Sequence, residues 1–301
     1  MNKFSKAIRS PYYALGNIMY RHCPTMMSDK FYTKIKWRKC MGSNLDLRHP
    51  RSFNEKLQFL KIYDKNPLYT TLVDKYLVKQ WVAEKIGKQY VIPTLAVYDS
   101  VDSIDLDALP NQFVLKCNHD SGSYVICKDK SSFDFQTAKK KLDVALKTNY
   151  YWETREWPYK NVRPRIIAEE YKEDASGELR DYKVYAVNGS CDYLMLCFDR
   201  AKGKPKFLFF DREWKLHKEL SNYGMLHGDS VSIEKPQNLD KFFEFAQLLS
   251  QGIPFVRVDF YEADNQLFFG EMTFYPSSGM DRRTKAMDDY LNKHLDISIK
   301  K

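Results

Sequence analysis

The stretch from Phe255 to Met280, FVRVDFYEADNQLFFGEMTFYPSSGM, constrains the fold more than any other part of the chain. Aromatic and β-branched residues dominate two arms, FVRVDFY and QLFFGEM, and a short polar turn at Ala263-Asp264-Asn265 separates them, which predicts a β-hairpin. Each arm carries one carboxylate, Asp259 and Glu271, in otherwise apolar sequence, and a buried acid needs a partner. Antiparallel pairing across the turn brings the two acids together, with Arg257 on the face of Asp259. Two carboxylates and a guanidinium suit a magnesium-bound phosphate group. A surface hairpin with solvent-facing acids is the alternative, and two acids alone favour it.

The 301 residues allow one large or two ordinary domains with a sizeable core. No run of 18 apolar residues occurs, and the first 20 residues lack the apolar core of a signal peptide, so a cytoplasmic protein is expected. The net charge of +9 is concentrated: residues 1–65 hold 14 Lys+Arg against 4 Asp+Glu, and the remainder is close to neutral. Residues 1–20 place Phe4, Ile8, Tyr12, Leu15 and Met19 at helical spacing among basic residues. Two readings stay open, a helix in peripheral contact with an anionic membrane and one docked on the protein's own core. No nucleic-acid module accompanies the charge, so no nucleic-acid partner is expected. Six cysteines without C-x-x-C spacing and six scattered histidines give no zinc site and no nucleophilic triad.

Ser52-x-x-Glu55 is a capping box that opens a helix with Phe53, Leu57, Leu60 and Tyr63 on one face. LVDKYLVKQWVAEKIG reads as one helix ending at Gly87. YVIPTLAVYDS reads as a strand interrupted by Pro93, hence at an edge. QFVLKCNHDSGSYVICKDKS gives strand, small-residue loop and strand, with Lys116 ending the first arm. Such a loop can cradle phosphate oxygens, or be an ordinary hairpin loop. Arg165–Tyr171 is a short strand ending in acids, and two further strands, Asp181–Val187 and Cys191–Phe198, flank the hairpin turn Asn188-Gly189. Alternation puts Asp181, Lys183 and Tyr185 on one face.

Taken in order, RSFNEKLQFLKIYDKNPLYTTLVDKY, LPNQFVLKCNHDSGS, NYYWETREWPYKN, PRIIAEEY, DYKVY and the hairpin stretch resemble the ATP-grasp fold. The similarity is to its TupA-like branch, named after a teichuronopeptide-synthesis protein and associated with bacterial surface polysaccharides. It runs from about Arg48 to Met280. The resemblance implies an α+β chain in which two α+β subdomains grip ATP between antiparallel sheets. A basic, mainly helical region over residues 1–70 would precede an ATP-grasp domain over 71–301, with a lid subdomain at about 111–165 and a catalytic subdomain at about 166–301. By the same resemblance, Lys75 and Lys116 contact ATP phosphates, and the loop containing Ser121, Gly122 and Ser123 closes over them. Glu169, Glu170 and Tyr171 form the hinge that holds adenine, Asp174 or Glu178 reaches the ribose, and Asp181 and Lys183 face the nucleotide. V-R-V-D…E-M-T-F-Y-P-S-S-G is similar to the R-x-D…E-x-N…S/P-G pattern of D-alanine–D-alanine ligases. Asp259 and Glu271 then hold Mg²⁺, and Arg257 steadies the phosphoryl group or acyl phosphate. Thr273 stands where the third metal ligand is commonly Asn. Ser277 and Ser278 either help stabilise a tetrahedral oxyanion or simply make the turn.

The implied activity is an ADP-forming carboxylate–amine ligase, with catalytic roles for Arg257, Lys116 and Ser278. It would use ATP and Mg²⁺ on small-molecule or glycan substrates in capsule or cell-wall polymer synthesis. Two alternatives share parts of this site: an ATP-dependent phosphotransferase, and a glycosyltransferase or assembly protein that binds a nucleotide sugar.

Overall fold

The computed structural model describes residues 18, 19, 22, 24–173, 179–198, 206–221 and 233–298. The stretch 1–20 expected to form an amphipathic helix lies outside the described residues except for Ile18 and Met19, as do Asp174 and Glu178.

Helix α1 (Asp29–Met41) starts at the Ser28 cap and stops at Gly42, whose φ of 76° admits glycine readily. Helix α2 (Phe53–Tyr63) carries the expected capping box in full: the Glu55 amide donates to the Ser52 hydroxyl, and the Ser52 amide to the Glu55 carboxylate. Phe53, Leu57 and Leu60 are buried as their spacing predicts, whereas Tyr63 is 42% exposed. The same helix buries Gln58 and Lys61, which apolar periodicity does not anticipate.

The stretch expected to be one helix is two, α3 (Leu68–Val73) and α4 (Leu77–Ile86). Between them Asp74 is extended, and its carboxylate accepts the amides of Tyr76 and Leu77. A short acid that satisfies backbone donors in this way competes with the helical ladder, and Lys75 sits at the break. Gly87 ends α4 at φ 110°, where an added Cβ would strike the Gln89 side chain at 2.7 Å.

Nine described strands form two antiparallel sheets. The smaller contains β1 (Thr94–Tyr98), β2 (Phe113–Cys117), β3 (Tyr124–Cys127) and β4 (Ile166–Glu170), ordered β1-β4-β2-β3. β1 begins directly after Pro93 and occupies the edge, as the proline requires. Helix α5 (Phe135–Leu146) covers this sheet through Leu142 and Ala145, which join Phe113, Leu115 and Ile166 in one core.

The larger sheet contains β5 (Asp181–Val187), β6 (Leu194–Phe198), β7 (Lys206–Phe210), β8 (Phe255–Ala263) and β9 (Gln266–Thr273), ordered β7-β6-β5-β8-β9. Asn188-Gly189 and Asp264-Asn265 make its tight turns with positive φ at all four positions. Helices α7 (Leu239–Leu249) and α8 (Lys285–His294) pack on it, and the short helix α6 (Tyr150–Thr154) lies in the connection from β3 to β4 of the smaller sheet.

Two expected boundaries need correction. β4 pairs with β1 and β2, so residues 166–170 belong with the smaller sheet, and β1 joins them from well before residue 111. Nor does residue 70 divide domains, because Phe53, Leu57, Leu60, Tyr69 and Leu72 share the core of the larger sheet with Val258 and Phe260. Both errors come from pairings between segments far apart in the chain, which local pattern does not reveal.

Candidate active site

Register in the larger sheet assembles a charged layer from residues that look isolated in sequence. Asp259 is the direct cross-strand partner of Glu271 on β9 and of Lys183 on β5; Arg257 is opposite Thr273 and Tyr185. A bulge between Asp259 and Phe260 absorbs Gly270, after which Phe260 pairs with Phe269 and the phenyl rings enter the core. Glycine is required at the bulge: a Cβ on residue 270 would lie 2.9 Å from the Tyr261 ring and 3.0 Å from the Asp259 carbonyl oxygen.

Asp259 is completely buried, which is tolerable because both its oxygens are engaged. The Arg257 fork donates Nε to Oδ1 and Nη2 to Oδ2, each at 2.7 Å, and Lys183 Nζ also donates to Oδ2. Lys183 lies 3.3 Å from Asp181 as well. Arg257 reaches further, to the Thr273 hydroxyl at 3.2 Å and Glu271 Oε1 at 3.6 Å. Burial on its own would lower the Arg257 pKa, but Asp259 outweighs it and the guanidinium is held charged. Glu271, with its side chain 34% exposed, faces the cleft. Burial opposes its ionisation, but Lys75, Lys183 and Arg257 hold its carboxyl down to about 2. Asp259, Glu271 and Thr273 are thus together, but the structure commits Asp259 to cations. Among the described residues no cluster of three or more His, Cys, Asp or Glu forms a ready-made metal cage.

The smaller sheet supplies the opposite wall of a cleft of about 770 Å³. Lys116 near the end of β2 pairs with Glu169 on β4 at 2.6 Å, and Lys79 of α4 pairs with the same carboxylate. Burial would raise the Glu169 pKa, yet the two lysines lower it. Lys79, absent from the sequence expectations, also donates to the Ile92 carbonyl and the Thr94 hydroxyl, each at 2.8 Å. Its contact with Glu169 is a long-range meeting of helix and sheet that no local motif encodes.

Lys75 sits at the helix break. Its amide donates to the Asn118 carbonyl, its ammonium to the Asp120 carbonyl, and Glu271 Oε2 is 3.9 Å away. Lys75 therefore bridges the two sheets. The loop it touches has a fixed base and a free tip. Asn118 is buried and bonded to Asp74, Arg163 and Arg165, and His119 to the Ala145 carbonyl, whereas Ser121 and Gly122 are exposed. Ser123 is buried, and its hydroxyl donates to the Asp120 carboxylate. Glu170 and Tyr171 line the cleft mouth beside the apolar Ile92, Val114, Ile126 and Leu179, a surface suited to a flat heterocycle.

Ser278 lies apart from this layer. Its hydroxyl donates to the Thr154 carbonyl at 2.8 Å and accepts from Lys61 at 3.2 Å, so it fastens the turn, while its neighbour Ser277 lines the cleft. Lys61 also donates to the carbonyls of Thr154 and Ser278, and Gln58 to those of Ser278 and Gly279. Burial lowers the Lys61 pKa and raises that of nearby Glu156. Gln58 and Lys61 sit three residues apart on α2, and their polarity on a buried helical face is the one sequence sign of this role.

Residues 55–296 match the family described as TupA-like ATPgrasp. No curated protein sequence matches the chain. Similar solved structures include the D-alanine–D-alanine ligase from Helicobacter pylori, at 12% identity over 76% of this chain and 60% of that one, with a TM-score of 0.42. The ATP-grasp ligase PsnB complexed with minimal precursor, Mg and ADP is 10% identical over 76% of this chain and 61% of that one, with a TM-score of 0.40. The L-amino acid ligase from Bacillus licheniformis is 10% identical over 75% of this chain and 49% of that one, with a TM-score of 0.43. The chain thus spans less than two thirds of the length of each. No described helix is long and apolar enough to cross a membrane.

Proposed function

Since the chain belongs to the TupA-like ATP-grasp family, we propose that it is an ATP-dependent ligase that activates a carboxylate and joins it to an amine, releasing ADP and phosphate. One observation carries this reading: Lys75, Lys116, Lys183 and Arg257 converge from both sheets on a single cleft that also has an apolar slot. A triphosphate needs cations on several sides, and phosphoryl transfer needs alignment and charge stabilisation more than covalent help from the protein.

In this reading Lys75 and Lys116 bind the phosphates, Ser121, Gly122 and Ser123 close over them, and Glu170 and Tyr171 border the adenine. The small sheet with its loop acts as the lid. A substrate carboxylate oxygen attacks the γ-phosphorus and ADP leaves, giving an acyl phosphate. An amine then attacks the acyl carbon, phosphate departs with the bonding electron pair, and the amine loses its proton. Arg257, its fork fixed by Asp259, stabilises negative charge at the transferred group.

The donor set fits Mg²⁺ shared with substrate. Partly exposed Glu271 would supply a carboxylate beside the Thr273 hydroxyl, 3.5 Å from Oε1, and Mg²⁺ ordinarily takes one or two protein carboxylates and completes its shell with phosphate and water. When bound, it would neutralise phosphate charge. Asp259, buried and held by Lys183 and Arg257, would reach the ion only if phosphate oxygens replaced it as their partner. The aromatic wall at Phe207, Phe209 and Tyr185 suits a sugar ring. That favours a sugar acid as one of the substrates.

An ADP-release screen over uronic acids, amino acids and their pairs tests the reading. ADP and free phosphate should appear only with a carboxylate and an amine together. ADP with a phosphorylated single substrate, or thermal stabilisation by a nucleotide sugar and not by Mg-ATP, overturns it. Glu271→Gln should bind ATP in EDTA at least as well as wild type while losing the further gain that Mg²⁺ confers.

A further inference from the structure

Past Ser277 the cleft continues along residues that the nucleotide reading leaves without a task. Arg283, between the Ser277-Ser278-Gly279 turn and α8, lines this part although its side chain is only 5% exposed. Nη1 donates to Asn54 Oδ1 at 2.7 Å, and the guanidinium lies over the Phe53 ring, 5.0 Å from its centroid. Asn54 is fixed in turn by donating to the Asp281 carbonyl at 2.7 Å. The opposite edge of the guanidinium is different: Nε and Nη2 are buried and donate no hydrogen bond among the described residues. The Asp281 carboxylate is 3.4 Å from Nη2 but without hydrogen-bond geometry.

A guanidinium held on its Nη1 side by an amide, backed by a phenyl ring and left with two buried donors is expensive to maintain without a ligand. Nε and Nη2 form the parallel pair that matches the two oxygens of a carboxylate. Asp281 and Asp288, the latter in the first turn of α8, offset part of the guanidinium charge without taking up its two donors, and other features of the surroundings favour an anion. Thr284 caps α8, so the positive end of a ten-residue helix faces the same space. Arg282, also on the cleft, turns its Nη2 to the Cys40 carbonyl at 3.0 Å and leaves the fork to Arg283. Met287 and Leu220 add apolar contact and reduce competition from water.

We propose that Arg283 anchors a second-substrate subsite by binding, through Nε and Nη2, a carboxylate carried by the amine acceptor. The assignment of this carboxylate to the acceptor rests on the ligase reading above; the subsite itself does not. The acceptor is then an amino acid or an amino-bearing sugar acid, and its own carboxylate orients the amine without being the group activated.

The direct test is an NMR titration of the full chain that follows the Arg283 Nε–Hε signal, assigned by its loss in Arg283→Lys. Propionate should shift it saturably, with Kd on the order of millimolar for so small a probe, and propionamide should not. Inorganic phosphate, whose oxygens can also meet a guanidinium fork, should bind no more tightly than propionate. No propionate shift, an equal response to propionamide, or tighter binding of phosphate overturns the proposal. Asn54→Asp gives a second check that keeps the arginine: its carboxylate competes for the guanidinium and should weaken propionate binding by about threefold or more; unchanged affinity counts against the site. In the ADP-release screen, amines bearing a free carboxylate should outpace their amides by roughly tenfold, and Arg283→Lys should remove that advantage. Equal rates overturn the acceptor role. If no amine elicits ADP release while propionate still binds, the ligase reading fails and the anion subsite stands.

Discussion

The turn from Pro276 to Gly279 carries a cleft residue, Ser277, and α2 holds the turn in place, so the coupling between them can be measured. Gly279 has φ +70°, and a Cβ on it would approach Gln58 Nε2 to 2.5 Å and Leu57 Cβ to 3.3 Å. Gly279→Ala therefore incurs about 1–2 kcal/mol for a left-handed alanine and about 1–3 kcal/mol for overpacking. Gln58→Ala removes donors 2.9 and 2.8 Å from the Ser278 and Gly279 carbonyls, in a fully buried position. The Gly279 carbonyl loses its partner while the Ser278 carbonyl keeps Lys61, at about 1–3 kcal/mol in total. The two costs are not independent, because the group deleted in one variant is the group struck in the other. The double variant should recover the steric part and lie about 1–3 kcal/mol below the sum of the singles. Denaturant midpoints of the four proteins give the cycle, and the single variants should also lose ADP release, since Ser277 moves with the turn. Additivity within about 0.5 kcal/mol would mean that Gln58 does not hold the turn.

Asp259→Asn keeps the shape of the side chain but strips the anion from beneath Arg257 and Lys183; a loss of about 3 kcal/mol in unfolding free energy is expected, and a change under 0.5 kcal/mol contradicts the pairing. Arg155, 1% exposed, lies 4.4, 5.1 and 5.0 Å from the rings of Tyr32, Tyr151 and Trp152 and 3.4 Å from Asp29. Arg155→Lys loses the planar stack and should lower stability by about 1–2 kcal/mol despite equal charge. His217 lies between Asp211 and Glu219, each 2.8 Å away; burial would depress its pKa, but the two acids raise it above 6.5. Its contribution is complete below pH 6.5 and is lost as pH rises through the folded-state pKa, so thermal melts from pH 6 to 9 should decline more steeply in wild type than in His217→Asn. The Glu271 contribution has the opposite sense: present above 4.5, it is lost as pH falls toward about 2, and Glu271→Gln should flatten that acid limb.

How much of the site could be read from the residues depended on whether the information was local. The Ser52 capping box, the Asn188-Gly189 turn and the β8–β9 hairpin all announce themselves within a few residues, and all three form. That the two acids come near each other was legible for the same reason, but the two-residue turn alone would set Asp259 opposite Gly270, and the bulge that brings Glu271 opposite it has no local sign. Lys79, Asn118, Gln58 and Arg283 gave no comparable sign. Each is placed by a contact between elements distant in sequence, and a lone Lys, Asn, Gln or Arg in a helix or loop has many uses.

The same distinction bears on Asp259 itself. In sequence it reads as a metal ligand, because an acid in an apolar strand needs a positive partner and Mg²⁺ is one candidate. The structure supplies that partner from protein cations on its own strand and on β5, two residues and one strand away. An anion fully enclosed by Arg257 and Lys183 orients both groups toward the cleft, which matters for a reaction that depends on where positive charge is held. Glu271, partly exposed on the adjacent strand, is left with the accessible oxygens. The division of labour between two acids that look equivalent in sequence thus follows from one register position and one bulge. Gly270→Ala should disturb it directly: the Cβ presses on the Asp259 carbonyl at 3.0 Å, so the variant should lose Mg-ATP thermal stabilisation along with about 1–3 kcal/mol of stability. An unchanged Mg-ATP shift would show that Asp259 tolerates displacement and is not the organiser of the cations.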